Sequence, residues 1–60
     1  MPSFTYAIGD YVVWVEGETV VVSDPEGPFD LLSPEEEHHP LNKRLQIVNE
    51  RLRAMEEYSD

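Results

Sequence analysis

The chain has 60 residues, with 13 Asp and Glu against 4 Lys and Arg, a formal charge of -9, 40% hydrophobic residues and no cysteine. Such a length allows one domain with a thin core, and the missing cysteines exclude disulfide staples and thiolate metal sites. No apolar run approaches the roughly 20 residues that cross a bilayer, and residues 1–10 have neither a basic region nor a continuous apolar one. A soluble, cytoplasmic or virion-associated protein without membrane contact is therefore expected.

Charge divides the chain unevenly. Residues 1–42 hold Asp10, Glu16, Glu18, Asp24, Glu26, Asp30, Glu35, Glu36 and Glu37 and no Lys or Arg, whereas residues 43–60 balance Lys43, Arg44, Arg51 and Arg53 against Glu50, Glu56, Glu57 and Asp60. The field of the first part repels nucleic acid and anionic membrane and attracts basic surfaces. Direct nucleic-acid binding is not expected, because phosphate affinity needs clustered Lys and Arg. The same acidity also serves simply to keep a small protein in solution.

In chain order, SFTYA at 3–7 alternates Phe4 and Tyr6 on one side and predicts a short strand, with Ile8, Gly9 and Asp10 turning the chain. Residues 11–23, YVVWVEGETVVVS, are β-branched or aromatic on either side of Gly17 and Glu18. That composition predicts two strands joined by a tight turn in which Gly17 supplies positive φ. Counting outward from the turn pairs Glu16 with Thr19, Val15 with Val20, Trp14 with Val21, Val13 with Val22 and Val12 with Ser23. Alternation then puts Tyr11, Val13, Val15, Val20 and Val22 on one apolar face and Val12, Trp14, Glu16, Thr19, Val21 and Ser23 on the other. The first face is the predicted core; the second is half covered or a contact surface. The pattern Gly9-Asp10-x-Val12-x-Trp14-Val15 resembles the opening strand of KOW and other SH3-like barrels. It departs at Trp14, and too few strands follow to close a barrel, so no family is assigned on it.

Residues 24–40 hold Pro25, Pro28, Pro34 and Pro40. Asp24-Pro25-Glu26-Gly27 reads as a turn, and Pro28 is expected to stop any regular element from starting there. Phe29, Leu31 and Leu32 are expected to pin this linker onto the core or a partner. Ser33 as N-cap, Pro34 at the first helical position and Glu36 three residues after the cap predict a single helical turn that stops before Pro40.

The segment Leu41–Tyr58 carries the longest periodicity. Leu41, Leu45, Val48, Leu52 and Met55 recur at intervals of 4, 3, 4 and 3, which places them within about 80° of arc on a helix. Ile47, Ala54 and Tyr58 form a second line about 120° away. The first seam is assigned to the sheet and the second to the outside. Lys43 and Arg44 in the first turn and Glu56 and Glu57 in the last oppose the helix dipole. Compensation is expected first from Glu35 to Glu37 folding back over Lys43 and Arg44, and otherwise from an antiparallel helix of a second copy or from a partner.

The expected fold is therefore α+β, one small domain over 1–60. It comprises a small N-terminal antiparallel β-hairpin region at 1–23, extendable to three strands, a proline-rich acidic linker at 24–40 and an amphipathic C-terminal helix at 41–58. No chemistry is legible in this pattern. His38 and His39 are adjacent and diverge on either regular backbone, no HExxH spacing, GxSxG or SxxK motif occurs, and the glycines are isolated. No catalytic residue, metal or cofactor is expected. Trp14 is the strongest contact candidate, as buried aromatics dominate interfaces; the alternative is that it packs as core beneath Phe29 and Leu31. The expected protein-binding residues are Trp14, Val12, Val21, Phe29, Leu31, Ile47 and Tyr58. The leading functional expectation is a non-catalytic interaction module docked on a larger protein or oligomeric assembly, such as a minor structural component of a virion or multi-subunit complex, with a homodimer through the C-terminal helix as a further arrangement. The alternative is an acidic inhibitor, in the manner of phage-encoded regulators, on the basic nucleic-acid-binding surface of a polymerase or nuclease. A weaker third is an antitoxin-like or transcription-regulating partner.

Overall fold

The computed structural model describes residues 5–58; the expected strand positions Ser3 and Phe4, and Asp60 at the other end, lie outside them. Four antiparallel strands, β1 (Thr5–Ile8), β2 (Tyr11–Glu16), β3 (Thr19–Asp24) and β4 (Gly27–Phe29), follow one another in a meander. A single 3-10 turn at Glu36–His38 leads to helix α1 (Leu41–Tyr58), so the fold is α+β. The sheet is open, with β1 and β4 at its edges.

The β2–β3 register runs from Glu16 opposite Thr19 to Val12 opposite Ser23, in the pairing counted from the Gly17-Glu18 turn. Gly17 has φ 63° and Gly9, which opens the β1–β2 turn, has φ 59°; both need the left-handed region that glycine enters without a Cβ clash. Ile8 belongs to β1, opposite Tyr11, which leaves Gly9 and Asp10 alone at the turn. At the third turn the Asp24 carboxylate accepts the backbone N–H groups of Glu26 (2.8 Å) and Gly27 (3.0 Å), fixing the chain reversal through a side-chain turn.

Pro28 does not stop regular structure. It sits within β4, opposite Ser23. An edge strand tolerates proline where the missing N–H would have pointed to solvent, so the hairpin region extends six residues beyond Ser23.

Side-chain alternation sorts the sheet cleanly. Tyr6, Val13, Val22 and Phe29 form a row across all four strands, flanked by Ile8 and Tyr11 at one end and Val15 and Val20 at the other. Helix α1 covers this face. Val13, Val22, Val48 and Leu52 are the buried cluster, and Leu31, Leu32 and Leu45 pack around it. Phe29 lies against Tyr11, ring centroids 6.1 Å apart and tilted 59°. The Tyr6 hydroxyl donates to Asn49 Oδ1, tying β1 to the middle of the helix. Burial of this phenol raises its pKa, an effect opposed by the Asn49 hydrogen bond and by Arg53.

The seam on α1 faces the sheet at Val48 and Leu52, while Met55 is 36% exposed and Tyr58 stands 89% exposed at the helix end. Arg44 is buried as well, its Nε donating to the His39 carbonyl at 3.0 Å. The expected fold-back of Glu35 to Glu37 over Lys43 and Arg44 is replaced by a different pairing. Glu36 holds Arg51, two turns further along the helix, and Arg44 is satisfied by backbone. The cause is local: Ser33 and Glu36 bond reciprocally, Ser33 N–H to Glu36 Oε1 at 2.8 Å and Glu36 N–H to Ser33 Oγ at 3.3 Å. That capping box aims the Glu36 carboxylate along the helix flank toward Arg51. His39 is extended (φ -71°, ψ 155°), the geometry that a following proline imposes.

Candidate protein-interaction face

The second face of the sheet has no layer packed on it among the described residues. Side chains there fall in rows set by the registers: Thr5, Trp14 and Val21 in one, Ala7, Val12, Ser23 and Pro28 in the next, and Glu16 beside Thr19 at the end. Val12 is 37% exposed, and Trp14 and Val21, paired across β2 and β3, are half-buried. Trp14 Nε1 donates to Glu16 Oε2 at 2.8 Å, as residues two apart on a strand share a face. The bond fixes the indole's polar edge toward the β2–β3 turn. Ser23 Oγ donates to the Asp24 carbonyl at 3.0 Å, so its hydroxyl is turned into its own strand and the row stays largely apolar.

Carboxylates flank this patch at its two ends: Glu16 shares its face, Glu18 lies in the β2–β3 turn, and Asp10 and Glu26 lie in the β1–β2 and β3–β4 turns. The strands and turns from Thr5 to Asp30 carry no Lys or Arg. All four cations belong to α1, on the opposite side of the sheet. The arrangement is a hydrophobic centre with an aromatic anchor and negative charge at both turn ends.

Of the seven candidate binding residues, Val12, Trp14 and Val21 are brought together here. Phe29 and Leu31 are on the reverse side, packed against the core; Trp14 therefore does not lie beneath them. Ile47 is half-buried on α1, and Tyr58 is exposed at its end. Ala7 and Pro28 complete the patch and were not singled out from sequence. Extending the pair counting through the Gly9-Asp10 and Pro25-Glu26 turns places Ala7 next to Val12 and Pro28 next to Ser23.

On the helix side, Arg51 forms an ion pair with Glu36. Its Nη2 and Nη1 donate to Glu36 Oε2 (2.5 Å) and Oε1 (2.6 Å), and Nη1 also donates to the Leu31 carbonyl (3.1 Å). The Arg51 hydrogen bond, helped by the Ser33 N–H, lowers the Glu36 pKa to about 2, and Glu36 in turn raises that of Arg51. His38 and His39 are exposed; among the described residues no three His, Asp or Glu side chains converge on a metal-sized site. Among the described residues no helix is long and apolar enough to cross a membrane. In comparisons with known proteins, no family model, no curated protein and no solved structure matches this chain.

Proposed function

We propose that this protein is an acidic, non-catalytic interaction module that docks the open face of its sheet on a larger protein or assembly. The observation that carries the reading is the Val12, Trp14 and Val21 patch, left without a second layer among the described residues and flanked at both turn ends by carboxylates. A two-layer fold normally buries one sheet face and solvates the other with alternating polar residues; here the solvated face keeps three large apolar side chains. Indole anchors of this kind dominate binding energy when a partner covers them. The rim selects the partner: a surface with apolar residues at its centre and Lys or Arg around them. The thin core of Val13, Val15, Val22, Val48 and Leu52 fits a component whose neighbours add stability by binding only the folded form.

Capture by the immobilised protein from its native extract, followed by identification of what is retained, tests this reading. The expected result is a retained protein that is lost with Trp14→Ala and with Val12→Lys, both folded by circular dichroism. Equal retention by those variants would overturn it.

The one-sided charge supports a second reading, in which the same face occupies a basic nucleic-acid channel of an enzyme such as a polymerase or nuclease. Inhibition of nucleic-acid binding by the captured enzyme, steeply weakened by salt, is its mark. Retention of a protein with no basic groove removes it.

A further inference from the structure

Strand β4 has three residues where β3 has six. Their ladder ends at Val22 opposite Phe29, after which the chain leaves the sheet, so among the described residues no strand lies beside Thr19, Val20 and Val21 on that side. Pro28, which has no N–H, shows how the backbone is oriented: position 28 points away from β3, and Gly27 and Phe29 are the positions that bond to it. Val20 shares the parity of Val22 and Asp24, so its N–H and C=O point to the side that β4 has vacated. Among the described residues, no backbone hydrogen bond outside the ladders reaches Val20. A cleft of about 290 Å³ occupies the place of the missing half-strand, with Val20, Pro28, Phe29, Asp30 and Glu37 on its walls.

We propose that this cleft receives an extended basic segment of the partner protein, which adds to β3 where β4 stops and sets an arginine or lysine opposite Val20. A residue opposite Val20 exchanges two backbone hydrogen bonds with it, the mode of strand addition at a sheet edge. Its side chain shares the face of Val20, the face on which Asp30 and Glu37 also line the space between Val20 and the helix. Both carboxylates are exposed, and among the described residues no cation lines the cleft, so a guanidinium or ammonium group finds acceptors there without displacing an existing ion pair. The segment's residue opposite Thr19 projects onto the other face and so continues toward the open apolar patch, while the chain on its other side leaves the sheet before Asp30. A second copy does not supply the segment, because all its Lys and Arg are on α1. Nucleic acid is repelled by the two carboxylates. The inference rests on the docking reading only in assuming a partner; its own determinant is the Val20 backbone.

The experiment uses the chain made by total synthesis, with and without N-methylation at Val20, and as probe a short peptide of alternating valine and arginine. Amide shifts should move saturably at Thr19, Val20, Val21, Asp30 and Glu37. N-methyl-Val20 should weaken binding about tenfold, the effect of losing a backbone hydrogen bond and leaving its acceptor unpaired. The surface variants Asp30→Asn and Glu37→Gln, which leave the backbone intact, should each weaken it about threefold. A peptide with glutamate for arginine should not bind. Absence of binding, shifts confined to Val12 and Trp14, or affinity indifferent to N-methylation and to both carboxylate variants would overturn the proposal. Trp14→Ala separates the two readings: it is expected to abolish capture of the partner and to leave the peptide bound, so the docking face and the cleft fail independently.

Discussion

Glu36 and Arg51, 15 residues apart, meet through two parallel hydrogen bonds of 2.6 and 2.5 Å, and the same guanidinium holds the Leu31 carbonyl. The pair thereby fastens the whole connection between β4 and α1 to the helix flank. Its pH dependence follows from the depressed Glu36 pKa, about 2 against an ordinary 4.5. A carboxyl whose folded pKa is lowered contributes stability that is complete above the unfolded pKa and is lost as pH falls through the folded one. Thermal midpoints should therefore decline between about pH 4.5 and 2. Glu36→Gln should lower the midpoint at pH 7 by a few degrees and flatten that decline. If the variant and the parent lose stability in parallel across this window, the pair is not the titrating element.

Leu52 is completely buried between the helix and the sheet, whereas Tyr58 on the same helix is 89% exposed. Truncating a buried leucine removes its transfer energy and leaves a cavity, a loss of about 2–5 kcal/mol. A core of this size supports about 3–5 kcal/mol in all, so Leu52→Ala should leave the isolated chain largely unfolded at 25 °C by circular dichroism. Tyr58→Ala should change stability by less than about 0.5 kcal/mol. A cooperative transition in Leu52→Ala close to that of the parent would show that the helix does not rely on this contact.

The hairpin register and the helical seam were legible because both depend on local periodicity: one glycine turn fixes every β2–β3 pair, and spacings of 3 and 4 fix the side of α1 that faces the sheet. What depends on position within the sheet was not. Pro28 reads as a breaker in isolation, and only its place on an edge strand, with its nitrogen outward, makes it compatible with β4. The partner of Glu36 was misread for a similar reason. Proximity along the chain favours Lys43 and Arg44, but the capping box with Ser33 orients the carboxylate toward Arg51, and Arg44 turns inward to the His39 carbonyl. On the candidate face, Val12, Trp14 and Val21 follow from strand alternation. Ala7 and Pro28 required the registers of the outer strands, and the cleft beside Val20 required knowing where β4 ends.

Gly9 and Gly17 have nearly the same φ, 59° and 63°, but different surroundings. A Cβ at Gly9 would fall 2.1 Å from the Glu56 side chain, and one at Gly17 would meet nothing within 4 Å. Alanine at either position carries the left-handed penalty of about 1–2 kcal/mol. Gly9→Ala should therefore cost more than Gly17→Ala, because Glu56 must also move. In a Glu56→Ala background the difference between the two glycine variants should disappear. Denaturant midpoints of the six proteins decide this: a difference that persists without Glu56 would place the extra cost in the backbone of the β1–β2 turn.

The apolar centre and the acidic rim of the open face should separate kinetically once a partner is in hand. Long-range charge accelerates encounter, while desolvated central contacts govern dissociation. Glu18 and Glu26 are exposed at opposite ends of the patch, in the β2–β3 and β3–β4 turns. Neutralising both, Glu18→Gln with Glu26→Gln, should slow association by a few-fold and reduce its salt dependence, leaving dissociation nearly unchanged. Trp14→Ala should do the reverse, raising the dissociation rate by about tenfold or more, the scale of a truncated hot-spot aromatic. Surface plasmon resonance at two ionic strengths measures both. Should the glutamine variants dissociate faster, the rim makes short-range contacts; should Trp14→Ala change only association, the indole lies outside the buried centre and the docking face must be redrawn around the carboxylates.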